Sequence, residues 1–292
     1  MWLAYSHAKI NLGLQVLERL PAGYHRIATG ICFLEWKDRF EVERAGRYKL
    51  EIDQEEGREQ DIPTGDRNLV TRAVQAMDRY VGLDHHYHFR ITKNIPAGAG
   101  LGGGSSNAAL ALRMLNKMED IGLSDDRLVD IGRDLGADVP LFIRGHTGIA
   151  TGIGHEIEEL DLQPGYWIVT CFPGETSGTA EAYRFCEPNP EPDFPLRRVL
   201  TEEPVEEWRY MLSNDLEPAV FPRVNVSGNL KDQFYELGAV YASMSGSGSA
   251  VYGLFEQDFV AINAYEGLLE LGLRTNLTRP DFSPDTGIYR KE

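Results

Sequence analysis

The sequence has 292 residues, of which 42% are hydrophobic and 25% are charged, and its formal net charge is −16 at pH 7. This length and apolar content suit one large or two medium domains with real cores, whereas the negative charge argues against binding to nucleic acid. The longest apolar runs are too short to cross a bilayer and no signal-like segment stands at the start, so we expect a cytoplasmic protein that acts away from membranes.

The cysteines indicate the redox compartment, and the excess of acidic residues does not exclude a small anionic ligand. Cys32, Cys171 and Cys186 are an odd set without metal-ligand spacing, so we interpret them as thiols of a reduced compartment. Because salt screens fields beyond about 8 Å, local charges rather than the net charge decide what a site binds.

Alternation of apolar and polar residues over Ala8–Leu14 predicts a strand with one buried face. The opposite face would carry His7, Lys9, Asn11 and Gly13. Two polar side chains that can bind a ligand, Lys9 and Asn11, therefore share one face.

The segment that follows contains turns, strands and one helix. In chain order we predict a turn at Pro21-Ala22-Gly23, a strand over Ile31–Trp36, a hairpin or surface loop over Tyr48–Asp66, a helix over Asn68–Tyr80 and a strand over Tyr87–Thr92.

Helical and strand patterns alternate in the remainder of the chain. A soft domain boundary near Gly154 would divide it into residues 1–154 and 155–292. We predict helices over Ser105–Met118 and over Ser124–Leu135, the latter with Ser124 as N-cap and Gly136 as stop, and strands over Val139–Ile143, Thr147–Thr151, Tyr166–Phe172 and Ala250–Phe255.

Five glycines lie within the seven residues Gly98–Gly104. Gly98–Gly103 matches G-x-G-x-x-G, but a second helix follows the first, so the context of a dinucleotide-binding fold is missing. No Gly-Lys-Ser/Thr occurs, which excludes the P-loop pattern. What remains is a glycine loop that opens a helix, an arrangement that binds phosphate, with Ser105 and Ser106 able to donate to phosphate or to ligate Mg²⁺. The alternative is a flexible turn with a serine N-cap.

Three segments together resemble the signature motifs of the GHMP small-molecule kinases, which include galactokinase, homoserine kinase and mevalonate kinase. They are Ala8–Leu12, Pro96–Ala109 and Met244–Gly248. Finer features, namely Gly23-Tyr24-His25 and Leu135–Pro140, are similar to the branch that phosphorylates a cytidine diphosphate-linked methylerythritol.

The resemblance implies an α+β two-domain fold, with an N-terminal ribosomal-protein-S5-domain-2-like domain, a C-terminal ferredoxin-like domain and the active site in the cleft between them. It also implies a reaction of the non-mevalonate route to isoprenoid precursors. ATP, with Mg²⁺, would give its γ-phosphate to the 2-hydroxyl of the methylerythritol unit. We expect these small molecules to be its only partners and the protein to be a monomer or weak homodimer.

The resemblance assigns roles to individual residues. Asp138 would be the general base facing the acceptor hydroxyl, with Lys9 as its partner; the alternative is a turn aspartate that caps local N–H groups. Asn11 would hydrogen-bond the acceptor, His25 would bind the edge of cytosine, Tyr24 would help to pack the nucleotide and Tyr183 would stack on cytosine. The alternative for Tyr24 and His25 is a turn histidine with a half-buried tyrosine. ATP would contact Pro96, Ala97, Gly98, Ala99, Gly100, Leu101, Gly102, Gly103, Gly104, Ser105 and Ser106, with Asn68 and Lys93 near adenine, although a plain helix start and strand end explain the last two nearly as well.

Two other functions are compatible with these motifs. A different kinase of the same superfamily would act on a sugar, homoserine or a mevalonate derivative, but those branches usually carry a shorter glycine loop. A non-catalytic nucleotide-binding protein would have lost Lys9 or Asp138, and both are present. Asp84, His86 and His88 share a strand face, which we interpret as polar surface rather than a zinc site.

Overall fold

The computed structural model describes residues 1–291, apart from the side chain of Ala22. Its strands are β1 (Trp2–Arg19), β2 (His25–Ala45), β3 (Lys49–Gln54), β4 (His86–Lys93), β5 (Gly148–Thr151), β6 (Glu156–Glu159), β7 (Trp167–Phe172), β8 (Tyr241–Met244), β9 (Val251–Phe255), β10 (Arg274–Thr278) and β11 (Ile288–Arg290). Its α-helices are α1 (Leu69–Val81), α2 (Gly103–Met118), α3 (Asp125–Arg133), α4 (Val139–Arg144), α5 (Thr179–Phe185), α6 (Leu196–Glu202), α7 (Trp208–Met211), α8 (Glu217–Val220), α9 (Asn225–Glu236) and α10 (Asp258–Glu270).

The first sheet has the strand order β11-β1-β2-β4-β3, with β5 paired to β2 and β6 paired to β5. β1 and β2 are long antiparallel strands, and β3 runs parallel to β4. Helix α2 packs on β1 and against α1 and α4. The core between these layers contains Phe40, Phe89 and Met77, none of which is exposed.

The second sheet has the antiparallel order β10-β7-β9-β8. Its strands and its two longer helices follow one another as β7, α9, β8, β9, α10 and β10. This succession with this strand order is the ferredoxin-like arrangement. The predicted two-domain α+β fold is confirmed.

β1 is longer than the sequence pattern predicts, and the expectation that only one of its faces is buried was wrong. Lys9 and Asn11 are each 4% exposed, on the face that we expected to be open. The glycine loop and the loop around Ser245 cover that face. The Lys9 ammonium donates to the carbonyl of Gly100, and the backbone N–H of Asn11 donates to the hydroxyl of Ser245.

Two further predictions of secondary structure were wrong. The segment Tyr48–Asp66 contains a sheet strand, β3, instead of forming only a surface loop or hairpin. Val139–Ile143 lies in a helix, α4, because Pro140 occupies its first turn, where the missing N–H costs nothing. A left-handed Gly145 ends that helix.

The helices α1, α2 and α3 are confirmed with small changes at their ends. The side chains of Asn68 and Ser124 cap α1 and α3 by accepting from backbone N–H groups. α2 begins two residues earlier than predicted, at Gly103, after a left-handed Gly102. Ser105 and Ser106 therefore lie in the first turn of α2.

The two halves of the chain share backbone hydrogen bonds and a continuous apolar core. The N–H of Ala250 donates to the carbonyl of Ala99, and the N–H of Leu14 donates to the carbonyl of Ser213. Gly154, the predicted domain boundary, lies in the turn between β5 and β6, and the chain passes to the second sheet between Glu159 and Trp167. No helix in the described part of the chain is long and apolar enough to span a bilayer.

Candidate functional site

A cavity of about 790 Å³ lies where the glycine loop, β1, β2 and α5 meet. Its walls come from both halves of the chain, since Gly100 of the first half and Ser247 of the second both line it. The predicted site residues that line it are Lys9, Asn11, Tyr24, His25, Gly98, Gly100, Gly102, Ser105, Asp138 and Tyr183.

Lys9 and Asp138 form an ion pair in this cavity. Lys9 Nζ lies 3.7 Å from Asp138 Oδ2, and the side chains are 5% and 37% exposed, respectively. Burial lowers the pKa of Lys9, and the nearby Asp138 carboxylate offsets part of that effect. The pair thus joins a buried ammonium group to a carboxylate that can reach a ligand.

Asp138 owes its position to the way α4 begins. It occupies the N-cap position of α4, but its side chain accepts no capping hydrogen bond. The alternative of an aspartate that caps local N–H groups is therefore wrong for this residue. Its carboxylate is left to face Lys9 and the cavity.

Gly100 and Gly102 are required by packing within the site. Both adopt left-handed φ angles, +78° and +69°. A Cβ on Gly100 would lie 2.0 Å from the carbonyl oxygen of Ser245, and one on Gly102 would lie 2.7 Å from a ring carbon of Phe142. Gly100 lets the second and third motif segments touch through their backbones, and Gly102 leaves room for the ring of Phe142.

Gly104 has no such packing role. It is exposed, and a Cβ placed there would meet only Leu69 Cδ1, at 3.7 Å. Because α2 begins at Gly103, the N–H groups of its first turn have no partners within the helix. Bare backbone with free donors is what a phosphate group needs at a helix N-terminus.

The two serines of the first turn differ in their availability. Ser105 lines the cavity. Ser106 is 3% exposed, and its hydroxyl donates to the carbonyl of His7 at 2.7 Å. Ser106 therefore ties α2 to β1, and Ser105 is the serine that can reach a phosphate.

The remaining residues predicted to contact ATP lie outside the cavity lining. Pro96 and Ala97 precede the loop, and Ala97 exchanges two hydrogen bonds with the side chain of Gln60. Asn68 caps α1. Lys93 is 6% exposed and forms an ion pair with the fully buried Asp38. Capping and ion pairing explain Asn68 and Lys93 without a ligand, so a contact of either residue with adenine stays a prediction.

His25 and Tyr183 form a stacked pair in the lining of the same cavity. Their ring centroids are 5.2 Å apart and their planes are inclined by 29°. Burial and the neighbouring charge of Arg19 lower the pKa of His25, which favours the neutral ring. His25 Nε2 is buried with no hydrogen-bond partner among the described residues, whereas Tyr24 is 59% exposed.

An unpaired ring nitrogen beside an aromatic face is suited to a planar heterocycle. The nitrogen can exchange a hydrogen bond with the edge of the heterocycle while a ring stacks on its face. The tertiary structure thereby brings together His25 and Tyr183, which are separated by 158 residues in the numbering of the chain.

Sequence reasoning missed two kinds of cavity residue. Arg19 and Arg184 line the end that holds His25, and Thr29 lies beside Asn11. Thr29 could have been noticed as the one polar residue in the run Ile27–Ile31. No pattern in the sequence distinguishes the two arginines from other surface arginines.

Comparisons with known proteins agree with this architecture. Family models described as GHMP kinases N terminal domain and GHMP kinases C terminal match residues 68–146 and 200–272, respectively. The 4-diphosphocytidyl-2-C-methyl-D-erythritol kinase of Prosthecochloris aestuarii is 40% identical over 268 residues, covering 90% of this chain and 92% of that protein. The protein with the same name from Bacteroides thetaiotaomicron is 38% identical, covering 88% of this chain and 93% of its own length.

Solved structures of kinases also superpose on this chain. A crystal structure of 4-(cytidine 5'-diphospho)-2C-methyl-D-erythritol kinase superposes with a TM-score of 0.78 at 33% identity, covering 94% of this chain and 98% of that chain. Homoserine kinase from Cytophaga hutchinsonii superposes with a TM-score of 0.65 at 14% identity, covering 98% of this chain and 96% of that one, a likeness of fold alone.

Proposed function

This chain belongs to the GHMP kinases and, within them, to the 4-diphosphocytidyl-2-C-methyl-D-erythritol kinases, and on that premise we propose that it transfers the γ-phosphate of ATP to the 2-hydroxyl of 4-(cytidine 5'-diphospho)-2-C-methyl-D-erythritol. The products are ADP and the 2-phosphate, in the non-mevalonate route to isoprenoid precursors. A kinase of another GHMP branch is the alternative, and two homoserine kinases and a phosphomevalonate kinase of known structure are 12–16% identical to this chain.

The observation that carries the proposal is the position of the Lys9–Asp138 pair. It lies in one cavity with the glycine loop that precedes α2 and with the stacked His25–Tyr183 pair. ATP bound at the helix N-terminus and an acceptor whose cytosine lies at the aromatic pair would both border the ion pair. A cavity that served ATP alone would not need the aromatic pair.

The donor end binds phosphate through backbone rather than through side-chain charge. The free N–H groups of the first turn of α2 and the positive end of its dipole face an anion. Gly104 leaves space there, and Ser105 adds a hydroxyl. These groups hold the triphosphate and neutralise charge on its terminal group.

Mg²⁺ suits this donor set, because that ion keeps several waters and is commonly held through substrate phosphates and one or two protein oxygens. The Ser105 hydroxyl is the protein oxygen that we assign to it. When bound, the ion neutralises charge on the phosphate oxygens.

Asp138 and Lys9 act on the acceptor. Phosphoryl transfer passes through a loose transition state that needs little early deprotonation of the nucleophile. We therefore assign to Asp138 the orientation of the 2-hydroxyl and the late acceptance of its proton. The Lys9 ammonium group stabilises the carboxylate and the charge on the transferred phosphoryl group.

We assign the cytosine of the acceptor substrate to the part of the cavity that His25 and Tyr183 line. Tyr183 offers a face for cytosine, and His25 Nε2 offers a hydrogen-bond partner for its edge. Tyr24 is exposed at the rim, where it can cover the nucleotide as it binds. Asn11, next to the ion pair, is the residue we assign to an oxygen of the polyol.

The test is an ADP-release assay on purified protein with ATP, Mg²⁺ and one acceptor at a time. We expect turnover with the cytidine diphosphate-linked methylerythritol, and none with mevalonate, galactose or homoserine. An Asp138→Asn variant serves as the matched control because it keeps the shape of the side chain. Faster turnover with one of the other acceptors would reject the assignment.

A further inference from the structure

Thr29 belongs to a chain of hydrogen bonds that ends at the catalytic ammonium group. The Thr29 hydroxyl donates to the carbonyl of Gly13 at 2.6 Å, and Asn11 Nδ2 donates to Thr29 Oγ1 at 2.9 Å. Lys9 Nζ in turn donates to Asn11 Oδ1. Thr29 is 2% exposed, so water does not compete with it for these bonds.

The direction of this chain is set at its far end. A backbone carbonyl can only accept, so the single hydrogen of the Thr29 hydroxyl is committed to Gly13. The other acceptor within reach of that hydroxyl, at 3.3 Å, is the carbonyl of Gly30 and imposes the same direction. Thr29 Oγ1 can therefore only accept from Asn11, which turns the amide NH₂ of Asn11 toward Thr29 and its oxygen toward Lys9.

Local backbone geometry makes this arrangement possible. Gly13 has a left-handed φ of +67° and lies where the pairing of β1 with β2 shifts register, between Leu12 and Leu14. A Cβ on Gly13 would lie 2.4 Å from Leu212 Cδ1. The irregularity turns the Gly13 carbonyl toward Thr29, a contact that regular pairing would not provide.

The consequence falls on the three hydrogens of the Lys9 ammonium group. Two of them are held by fixed acceptors, Asn11 Oδ1 and the carbonyl of Gly100. The third is left for Asp138, whose carboxylate lies 3.7 Å away, and for a phosphoryl oxygen. If the Asn11 amide reversed, its NH₂ would face the ammonium group and one fixed acceptor would be lost.

We propose that Thr29 is a positioning residue of this kinase: by fixing the orientation of the Asn11 amide it aims the Lys9 ammonium group at Asp138 and the transferred phosphoryl group. The inference rests on the proposed function, because it assigns to Lys9 a role in turnover. Thr29 itself touches Asn11 and backbone carbonyls and acts through them.

Among the described residues, Asp138 is the charged group that faces Lys9, and the other neighbours are the Asn11 amide and the Gly100 carbonyl. Loss of the Asn11 oxygen would disfavour the charged form of Lys9, and the pKa of Lys9 would fall below its already lowered value. The alkaline limb of the kcat profile would then move to lower pH.

The test compares Thr29→Val, which keeps the shape of the side chain but removes the hydroxyl, with Thr29→Ser, which keeps the hydroxyl. We expect Thr29→Val to lower kcat about tenfold or more and to move the alkaline limb down by about one pH unit. The KM for ATP should stay within about twofold, because no ATP contact is removed. Thr29→Ser should restore both kcat and the pH profile.

A double-mutant cycle separates a positioning role from a loss of packing. In an Asn11→Ala background, Thr29→Val should have no further effect on kcat, because the residue through which it acts is gone. A multiplicative loss in that background, or a folded Thr29→Val with wild-type kcat and pH profile, would overturn the proposal. Thermal unfolding reports folding, and Thr29→Ala replaces the valine variant if that variant does not fold.

A measurement without turnover keeps this inference distinct from the proposed function. An NMR titration of the Lys9 ammonium group should give a lower pKa in Thr29→Val than in the wild type and in Thr29→Ser. An unchanged pKa refutes the positioning role. If Thr29→Val shows this shift but the wild-type protein does not phosphorylate the acceptor, only the proposed function is refuted.

Discussion

The glycine loop contains glycines with two different purposes, and Gly100→Ala with Gly104→Ala as its matched control separates them. At Gly100, alanine must adopt a left-handed φ of +78°, and its methyl carbon would lie 2.0 Å from the carbonyl oxygen of Ser245. At Gly104, alanine enters a helix with its methyl carbon 3.7 Å from Leu69 Cδ1.

The expected magnitudes follow from these contacts. The left-handed conformation costs about 1–2 kcal/mol for alanine. The clash moves the Gly100 carbonyl, which accepts from Lys9 Nζ and from Ser245 Oγ, both at 3.0 Å, and the bond to the charged Lys9 is worth about 1.5–3 kcal/mol. We expect Gly100→Ala to lower the free energy of unfolding by about 3–5 kcal/mol. Gly104→Ala should raise it by about 0.5–1 kcal/mol, because alanine loses less backbone entropy in a helix.

Scanning calorimetry on the two variants measures the midpoint of thermal unfolding, and titration calorimetry measures the affinity for ATP. At roughly 2–4 °C for each kcal/mol, the midpoint of thermal unfolding of Gly100→Ala should fall by about 6–20 °C. Gly104→Ala should unfold at or above the wild-type temperature and yet bind ATP more weakly, because its methyl group enters the space that we assign to phosphate. An unfolding midpoint of Gly100→Ala equal to that of the wild type would refute the packing role. Unchanged ATP affinity in Gly104→Ala would refute the phosphate role.

Three further predictions concern the Lys9–Asp138 and Lys93–Asp38 ion pairs. Asp138→Ala should lower kcat by about 100-fold to 10,000-fold with the Kd for ATP unchanged by calorimetry, and normal turnover would remove Asp138 from the role of base. Burial lowers the pKa of Lys9, and the role that we assign to Lys9 needs its charged form, so kcat should fall as pH rises through that lowered pKa, and a flat alkaline profile would contradict this. Lys93→Met removes the cation paired with the buried Asp38 carboxylate and should cost about 3–5 kcal/mol of stability in urea unfolding, whereas weaker ATP binding at unchanged stability would support the adenine contact instead.

The sequence alone was enough to predict the fold family, because three motifs in a fixed order are specific, and it located helices α1, α2 and α3 because caps and apolar spacing are local signals. Asn68 and Ser124 cap in the structure as local chemistry predicts. The error at Val139–Ile143 has a local cause as well. A short apolar run is compatible with a strand or a helix, and Pro140 in the first turn favours the helix.

The sequence could not reveal which groups meet across the fold. The face of β1 that carries Lys9 alternates with apolar residues as an exposed face would, and only the approach of the glycine loop and the Ser245 loop buries it. The chain of hydrogen bonds through Gly13, Thr29 and Asn11 depends on an irregularity in strand pairing. The stack of His25 on Tyr183 joins two segments that are distant in sequence. Residue types and their spacing along the chain therefore determined what chemistry this protein carries. The direction and the partners of each hydrogen bond in the site were decided by tertiary structure alone, because they depend on backbone geometry that brings residues far apart in sequence within 3 Å of one another.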